Sequence, residues 1–188
     1  MDLNYALAGA IREFANIEYL TGFIVASAEY GAYFIPPVLV YLFLRAGTDR
    51  FDSLFVFFTT VLSIQLSHLA GLLYYHPRPF VIYETLLTAY PDNSFPSQHA
   101  ATMFAFAAAF TYRKRYKIST FFISLAVLNS FARISVGFHF PIDIIGGIII
   151  SAIALYLLTK LEKYVKQLSD YLDLQQTKII SKLKEKRN

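Results

Sequence analysis

The apolar residues of this chain are gathered into runs of membrane-spanning length, separated by short polar segments. About 20 consecutive apolar residues in a helix cross the roughly 30 Å of hydrocarbon in a bilayer. Four runs meet that length: residues 28–45, 53–75, 118–138 and 142–159. A fifth run, residues 98–112, has a shorter apolar core, but the cationic side chains that follow it can reach to the headgroups and lengthen it. The pattern predicts five transmembrane helices.

The first 27 residues are less regular than the rest. Charged side chains at Arg12, Glu13 and Glu18 interrupt the apolar pattern, and residues 3–14 have the character of an amphipathic helix lying in the membrane interface. The segment has neither the basic start nor the small-residue cleavage site of a signal peptide. A sixth crossing stays open as an alternative to the interfacial helix.

The composition agrees with a polytopic membrane protein. Of the 188 residues, 56% are hydrophobic and only 16% are charged, whereas soluble domains carry about 25% charged residues. These values exclude a disordered chain, a coiled coil and a nucleic-acid-binding arm. The absence of cysteine excludes disulfides, thiolate metal sites and cysteine nucleophiles. The expected fold class is all-α, a membrane helix bundle of about five transmembrane helices with an N-terminal interfacial helix.

The net charge is +4, and the basic residues are unevenly distributed along the chain. The basic residues lie at Arg45 and Arg50, which flank one short loop, in the segment 113–117, and in the tail after residue 160. Lys and Arg are retained on the cytoplasmic side of membrane proteins, and with five crossings all three regions lie on that side. The loop 76–97 and the junction 138–142 then face outward together, at the outer surface of a cell membrane.

Two parts of the chain are expected to have separate roles. Residues 1–160 form the membrane-embedded domain, and residues 161–188 form a Lys-rich cytoplasmic tail. Apolar residues recur near helical spacing in the tail, which predicts a helical extension, with a partner-binding helix as the alternative. The loop 76–97 contains four prolines and is long for a compact bundle, a length typical of functional loops.

Six polar residues gather at the outward end of the predicted bundle, although they come from separate segments: Arg78, Ser97, His99, Arg133, His139 and Asp143. Ionisable groups beside apolar helices are costly, and for that reason they indicate function. Taken singly, each could be a membrane anchor or a helix cap. Their convergence favours a site for an anion at the membrane surface.

The residue types suit a phosphate. The planar guanidinium groups of Arg78 and Arg133 can each bond two phosphate oxygens. Ser97 stands at the entry to a helix, where its hydroxyl and the free N–H groups of the first turn can bind the same anion. The four-residue step from His139 to Asp143 lets the carboxylate hold one imidazole nitrogen and leaves the other free as a nucleophile.

Two further histidines are less informative. His68 lies inside the second apolar run, and we expect it to bond within the bundle. His76 precedes Pro77, and both a structural role and an additional phosphate contact are open for it.

These motifs resemble the three-part signature of the type 2 phosphatidic acid phosphatase superfamily. The resemblance covers residues 68–147 and rests on Arg78-Pro79, on the segment 96–99 (PSQH), and on Arg133 followed by His139 and Asp143. Three positions depart from the usual signature: Gly71 stands in place of a Lys, Gln98 of a Gly and Ala132 of a Ser. With HPRPF at 76–80 and DNSFPSQH at 92–99, the chain is most similar to undecaprenyl-diphosphatases of the bacitracin-resistance type.

The resemblance implies a metal-free phosphatase without cofactors. In it His139 attacks phosphorus, Asp143 supports His139, and His99 protonates the leaving oxygen. The phosphate is bound by Arg78, Ser97 and Arg133, and water then hydrolyses the phosphohistidine. The residues themselves also argue against a two-metal site. Such a site needs a cluster of oxygen ligands, and the candidates Asp143, Asp92 and Glu84 are few and scattered.

The expected function is hydrolysis of a polyprenyl diphosphate, of undecaprenyl or dolichyl type, to the monophosphate, which recycles a glycan carrier lipid. The alternative on the same chemistry is a phosphatidic acid or phosphatidylglycerophosphate phosphatase. A transporter would place ionisable residues at mid-membrane depth in broken helices, whereas here they lie near helix ends. The expected partners are a membrane lipid and the bilayer, not a nucleic acid, and the sequence sets no oligomeric state.

Overall fold

The computed structural model describes residues 3–15, 18–88 and 90–185, and these ranges contain helices and no β-strand. Eight α-helices follow one another: α1 (Leu3–Ala15), α2 (Glu18–Tyr30), α3 (Ile35–Leu44), α4 (Thr48–Leu73), α5 (Pro79–Ile82), α6 (Gln98–Tyr112), α7 (Tyr116–Ser135) and α8 (Pro141–Glu185). A 3₁₀ helix, Gly31–Phe34, joins α2 to α3. The predicted all-α membrane bundle is confirmed.

Within the described ranges, four helical segments are long and apolar enough to cross a membrane: Leu20–Leu44, Thr48–Leu73, Tyr116–Ser135 and Pro141–Lys184. The first begins eight residues before the predicted start at 28. Residues 20–28 carry no charged side chain, so α2 runs on through the 3₁₀ helix into α3 as one apolar segment.

The fifth predicted crossing is α6, the short central helix of the bundle. Its 15 residues span about 22 Å at the helical rise of 1.5 Å per residue. It packs against α4, α7 and α8. The rings of Phe106 and Phe110 are buried, and Phe106 lies 4.5 Å from the ring of Phe122 and 5.0 Å from that of Phe110. Because neighbouring helices enclose it, α6 need not match the full hydrocarbon thickness.

Helix α1, where the interfacial helix was expected, covers the end of the bundle at which α8 begins. The Tyr5 ring lies 4.9 Å from that of Phe140, and the side-chain oxygen of Asn4 accepts a hydrogen bond from the backbone of Ile142. The helix also packs against α7. It therefore braces the start of α8, where two of the predicted site residues lie.

Buried ion pairs join the basic segments at the opposite end of the bundle. Asp52 is buried and binds Nε of Arg113 at 2.8 Å and Nε of Arg115 at 2.6 Å. Arg50 binds Asp173 of α8 at 2.5 Å. Helix α8 is continuous through residue 160, and the part beyond it packs on the start of α4. The membrane-side and cytoplasmic assignments of residues 1–160 and 161–188 stay predictions, and residues 186–188 lie outside the described ranges.

Two glycines let α8 approach the loop before α6 closely. A Cβ on Gly147 would lie 2.7 Å from the carbonyl oxygen of Ser97 and 2.9 Å from the backbone nitrogen of Ala101. A Cβ on Gly146 would meet the ring of Phe95 at 2.4 Å. Such contacts are closer than any side chain allows, so these glycines set the distance between the start of α8 and the start of α6.

Candidate active site

The six residues predicted from the sequence meet where α4 ends and α6 and α8 begin. Four of them, Arg78, His99, Arg133 and His139, line a cavity of about 340 Å³. Ser97 and Asp143 are buried behind it. A larger hollow of about 690 Å³ between α1 and the segment 79–86 contains none of the six. The smaller cavity is therefore the candidate site.

The imidazole of His139 is contacted on both ring nitrogens. Its Nε2 lies 3.4 Å from Nη2 of Arg133, and its Nδ1 lies 3.2 Å from Oγ of Ser94. A guanidinium can only donate, so Nε2 carries the lone pair and Nδ1 carries the proton. This tautomer makes Nε2 the available nucleophile.

Ser94 stands between His139 and Asp143. Its hydroxyl donates to Oδ2 of Asp143 at 2.5 Å, so it accepts the Nδ1 proton of His139. The direct distance from Nδ1 to Oδ2 is 3.7 Å, too long for a hydrogen bond. The direct bond expected from the four-residue spacing is therefore replaced by a serine-bridged contact.

Asp143 is held in place by donors on both carboxylate oxygens. Oδ2 also accepts from the backbone nitrogen of Phe140 at 2.7 Å, and Oδ1 accepts from Nδ1 of His76 at 2.8 Å. His76 thus bonds Asp143 and is not among the residues that line the cavity. Of the two roles left open for His76, the structure favours the structural one.

Burial lowers the pKa of His139 from 6.5 to about 4, and the nearby positive charges of Arg133 and Arg78 act in the same direction, against the negative charge of Asp143. An imidazole with this pKa is neutral at physiological pH. Neutral imidazole is the form that can attack phosphorus. The environment of His139 therefore keeps the potential nucleophile ready without a separate base.

Arg78 is fixed by three contacts that leave part of its guanidinium available. Its Nε bonds the carboxylate of Asp92, its Nη1 donates to the carbonyl of Phe138 at 3.0 Å, and its Nη2 donates to the carbonyl of Asn93 at 3.3 Å. A guanidinium has five N–H donors. One hydrogen on each Nη is left for an anion in the cavity.

Arg133 lies in the last turn of α7 and is braced by α2. Its Nη1 donates to the carbonyl of Ala28 at 3.0 Å, and its guanidinium carbon stacks over the ring of Phe138 at 4.9 Å. Its Nε is buried and has no hydrogen-bond partner within the described ranges. The two arginines thus bring two fixed positive charges to one side of His139.

Ser97 caps α6, as its position predicted. Its Oγ accepts from the backbone nitrogen of Ala100 at 3.4 Å, and its own backbone nitrogen donates to the carbonyl of Asp143 at 2.9 Å. The serine is buried and is not part of the cavity lining. Its expected role as a phosphate ligand stays a prediction.

Comparison with known proteins places these residues in a family context. The model of the PAP2 superfamily matches residues 52–167, which include the whole candidate site. The chain belongs to the PAP2 superfamily. It is also 29% identical over 188 residues to the undecaprenyl-diphosphatase BcrC of Bacillus subtilis, an alignment that covers 98% of this chain and 97% of the relative.

Two other likenesses extend this result. A lipid A 1-phosphatase of Rhizobium johnstonii is 30% identical over 127 residues, covering 60% of this chain and 51% of that protein. The crystal structure of Aquifex aeolicus LpxE superposes with a TM-score of 0.74 at 26% identity, covering 85% of this chain and 96% of that one. As a member of the PAP2 superfamily, the present chain is a phosphatase with a helical membrane fold.

Sequence reasoning missed Ser94 as a member of the candidate site. The signal was present, because Ser94 lies inside the DNSFPSQH segment that carries the resemblance. The sequence does not reveal which residues Ser94 contacts, since His139 and Asp143 are 45 and 49 residues away. Within the described residues, no group of three or more carboxylates and imidazoles has the arrangement of a metal site.

Proposed function

We propose that this PAP2 phosphatase hydrolyses a polyprenyl diphosphate to the monophosphate through a phosphohistidine on His139. The observation that carries the proposal is the arrangement around the imidazole. Nδ1 is backed by Ser94 and Asp143, while Nε2 faces Arg133 in a cavity that Arg78 and His99 also line. This is the arrangement that an in-line attack on phosphorus requires.

In the first step the Nε2 lone pair forms a bond to the terminal phosphorus. The bond between phosphorus and the bridging oxygen breaks, and its electron pair stays on that oxygen. His99 donates a proton to the leaving group, which is the lipid monophosphate. Arg78 and Arg133 neutralise the charge on the equatorial oxygens, as fixed donors do at a developing oxyanion.

In the second step water attacks the phosphohistidine and His99 accepts its proton. The products are inorganic phosphate and the free His139. The return of the proton to His99 prepares the residue for the next substrate, so one side chain serves as acid and then as base.

The lipid class rests on the relatives. The full-length likeness to an undecaprenyl-diphosphatase supports a polyprenyl diphosphate. The likeness to a lipid A 1-phosphatase favours a lipid monophosphate as the second candidate. A carrier-lipid diphosphatase would act on the outer face of the cell membrane, and the Lys and Arg bias supports this orientation because it predicts that the basic end lies inside.

Phosphate release from a panel of lipids in detergent tests the substrate class. The panel contains undecaprenyl diphosphate, phosphatidic acid, phosphatidylglycerophosphate and lipid A, with the H139A variant as the inactive control. We expect the highest kcat/KM on the diphosphate and an acid-labile phosphoenzyme that His139→Ala lacks. A higher kcat/KM on a monophosphate lipid, or a phosphoenzyme that persists in the variant, would contradict the proposal.

The membrane orientation has its own test, because the chain has no cysteine of its own. Thr88→Cys and Lys117→Cys introduce single thiols at the site end and the basic end. An impermeant maleimide applied to intact cells should label position 88 and not position 117. The reverse labelling would place the active site in the cytoplasm.

A further inference from the structure

The wall of the active-site cavity that belongs to α4 carries polar groups that the mechanism does not use. Ser67, His68, Gly71 and Leu72 all line this wall. Positions three or four residues apart are neighbours on a helix surface, and the pairs 67/71, 68/71 and 68/72 have this spacing, so the four residues form a single strip. The arginines and His139 lie elsewhere in the lining, which leaves the strip without an assigned function.

His68 meets Gln98 across this cavity. Nε2 of the Gln98 amide lies 3.3 Å from both ring nitrogens of His68, so the two side chains are in contact. Both side chains are exposed, and Gln98 is the first residue of α6. The pair therefore offers N–H donors beside the N-terminus of a 15-residue helix, a position that favours an anion.

A second observation comes from Ser67. It is 1% exposed, it lines the same cavity, and its hydroxyl has no hydrogen-bond partner within the described ranges. A buried hydroxyl without a partner is costly. An anionic ligand in this part of the cavity would give the hydroxyl an acceptor.

The strip also lies on the way from the nucleophile to the lipid. Beyond His68, α4 exposes large apolar side chains, with Leu69 at 55% and Leu72 at 83%. Such a surface on a membrane-spanning helix faces hydrocarbon. A substrate with its terminal phosphate at the arginines and its chain in the bilayer must therefore pass its next group along His68 and Gln98.

We infer that His68 and Gln98, with Ser67, form a subsite for the lipid-side phosphate of a diphosphate substrate. The inference rests on the proposed function for the identity of the substrate, and it names the residues that distinguish a diphosphate from a monophosphate. The bond that breaks is the one already described, between the terminal phosphorus and the bridging oxygen. The subsite holds the phosphate that leaves with the lipid.

The subsite also bears on Gly71, which stands where the usual signature has a Lys. A Cβ at this position would lie 3.3 Å from the carbonyl oxygen of Phe95 and 3.4 Å from Nδ2 of Asn93, so the loop before α6 packs directly on α4 here. No side chain projects from position 71. The donors of the α4 wall are one turn earlier on the helix, at His68 and Ser67.

The test uses the full-length protein in detergent, with p-nitrophenyl phosphate as a generic phosphatase substrate. Methylenediphosphonate, which cannot be hydrolysed, and inorganic phosphate are compared as competitive inhibitors. We expect the wild type to prefer the diphosphonate. His68→Ala and Gln98→Ala should each reduce that preference roughly 10- to 100-fold, the effect of losing one hydrogen bond to a charged group. Gln65→Ala, an exposed residue of α4 outside the cavity lining, is the matched control.

An unchanged preference in both variants would overturn the subsite, as would an equal loss of affinity for both inhibitors. Turnover of farnesyl diphosphate is measured in parallel and tests the proposed function separately. If the wild type fails to hydrolyse it while the inhibitor preference still falls in His68→Ala, the diphosphatase assignment is wrong and the subsite stands. If the wild type hydrolyses it and the preference does not move, the subsite alone is wrong.

Discussion

Replacing Ser94 by alanine tests the bridge between His139 and Asp143. When Nε2 attacks phosphorus the ring becomes an imidazolium, and its positive charge strengthens the Nδ1–H bond to the serine oxygen. A hydrogen bond to a charged group is worth about 1.5–3 kcal/mol. At about 1.4 kcal/mol for each factor of ten, Ser94→Ala should lower kcat by roughly 10- to 100-fold.

The loss should be smaller than the loss of the nucleophile itself, for a reason that the distances give. Oδ2 of Asp143 keeps its bond from Phe140, and it lies 3.7 Å from Nδ1 of His139. A shift of the ring or the carboxylate can bring these atoms into direct contact once the hydroxyl is gone. The KM should change little, because Ser94 does not line the cavity and the arginines keep their contacts.

Steady-state phosphate release and rapid-quench trapping of the phosphoenzyme measure this effect. Ser151→Ala is the matched control, since that serine is also buried and its hydroxyl bonds the carbonyl of Ile148 in its own helix. A Ser94→Ala enzyme with the kcat of the wild type would refute the bridge. An enzyme as inactive as His139→Ala would refute the limited size of its contribution.

Four further predictions address the same site. His99→Ala should lower kcat on a lipid phosphate by about 10²- to 10⁴-fold. Its activity should recover on p-nitrophenyl phosphate, whose leaving group needs no proton, whereas that of His139→Ala should not. Equal recovery of both variants would contradict the assigned roles. EDTA should leave phosphate release intact, and a loss restored by a divalent ion would contradict the metal-free mechanism. Gly147→Ala should sharply lower activity by pushing α8 away from α6, while Gly22→Ala, where a Cβ meets nothing within 4 Å, should not. In NMR titration of the free enzyme, the His139 resonance, assigned by its loss in His139→Ala, should titrate near pH 4. The ring then stays neutral between pH 6.5 and 4, where an exposed histidine gains a proton. A midpoint near 6.5 would show that burial does not control the pKa of His139.

The fold was largely predictable because the bilayer imposes simple rules on the chain. Apolar length predicted the spans, and a serine after a proline predicted the start of α6 at Gln98. The segment 20–27 was assigned less well, because the charges at Glu18 and Glu29 mask the apolar stretch between them. The continuity of α8 into the tail was also not predictable, since nothing in the local pattern shows that Asp173 binds Arg50 and holds the extension against α4.

The site was predictable in its residue types but not in its connections. Charged side chains at the ends of apolar runs are conspicuous, and Arg78, Arg133 and His139 were found for that reason. Ser94 and His76 are ordinary loop residues in the sequence. Their importance comes from tertiary contacts with Asp143, 49 and 67 residues away, and no periodicity encodes contacts of that range.

The two carboxylates of the site show how burial separates roles that the sequence cannot. Asp143 is fully buried and accepts three hydrogen bonds, so it cannot leave when an anion arrives. The side chain of Asp92 is 58% exposed and bonds Arg78, the arginine that has one hydrogen on each Nη free. An incoming phosphate offers Arg78 a stronger acceptor and repels Asp92, which can turn into solvent at little cost. We therefore expect Asp143 to remain fixed behind His139 when a phosphate binds, and Asp92 to release Arg78.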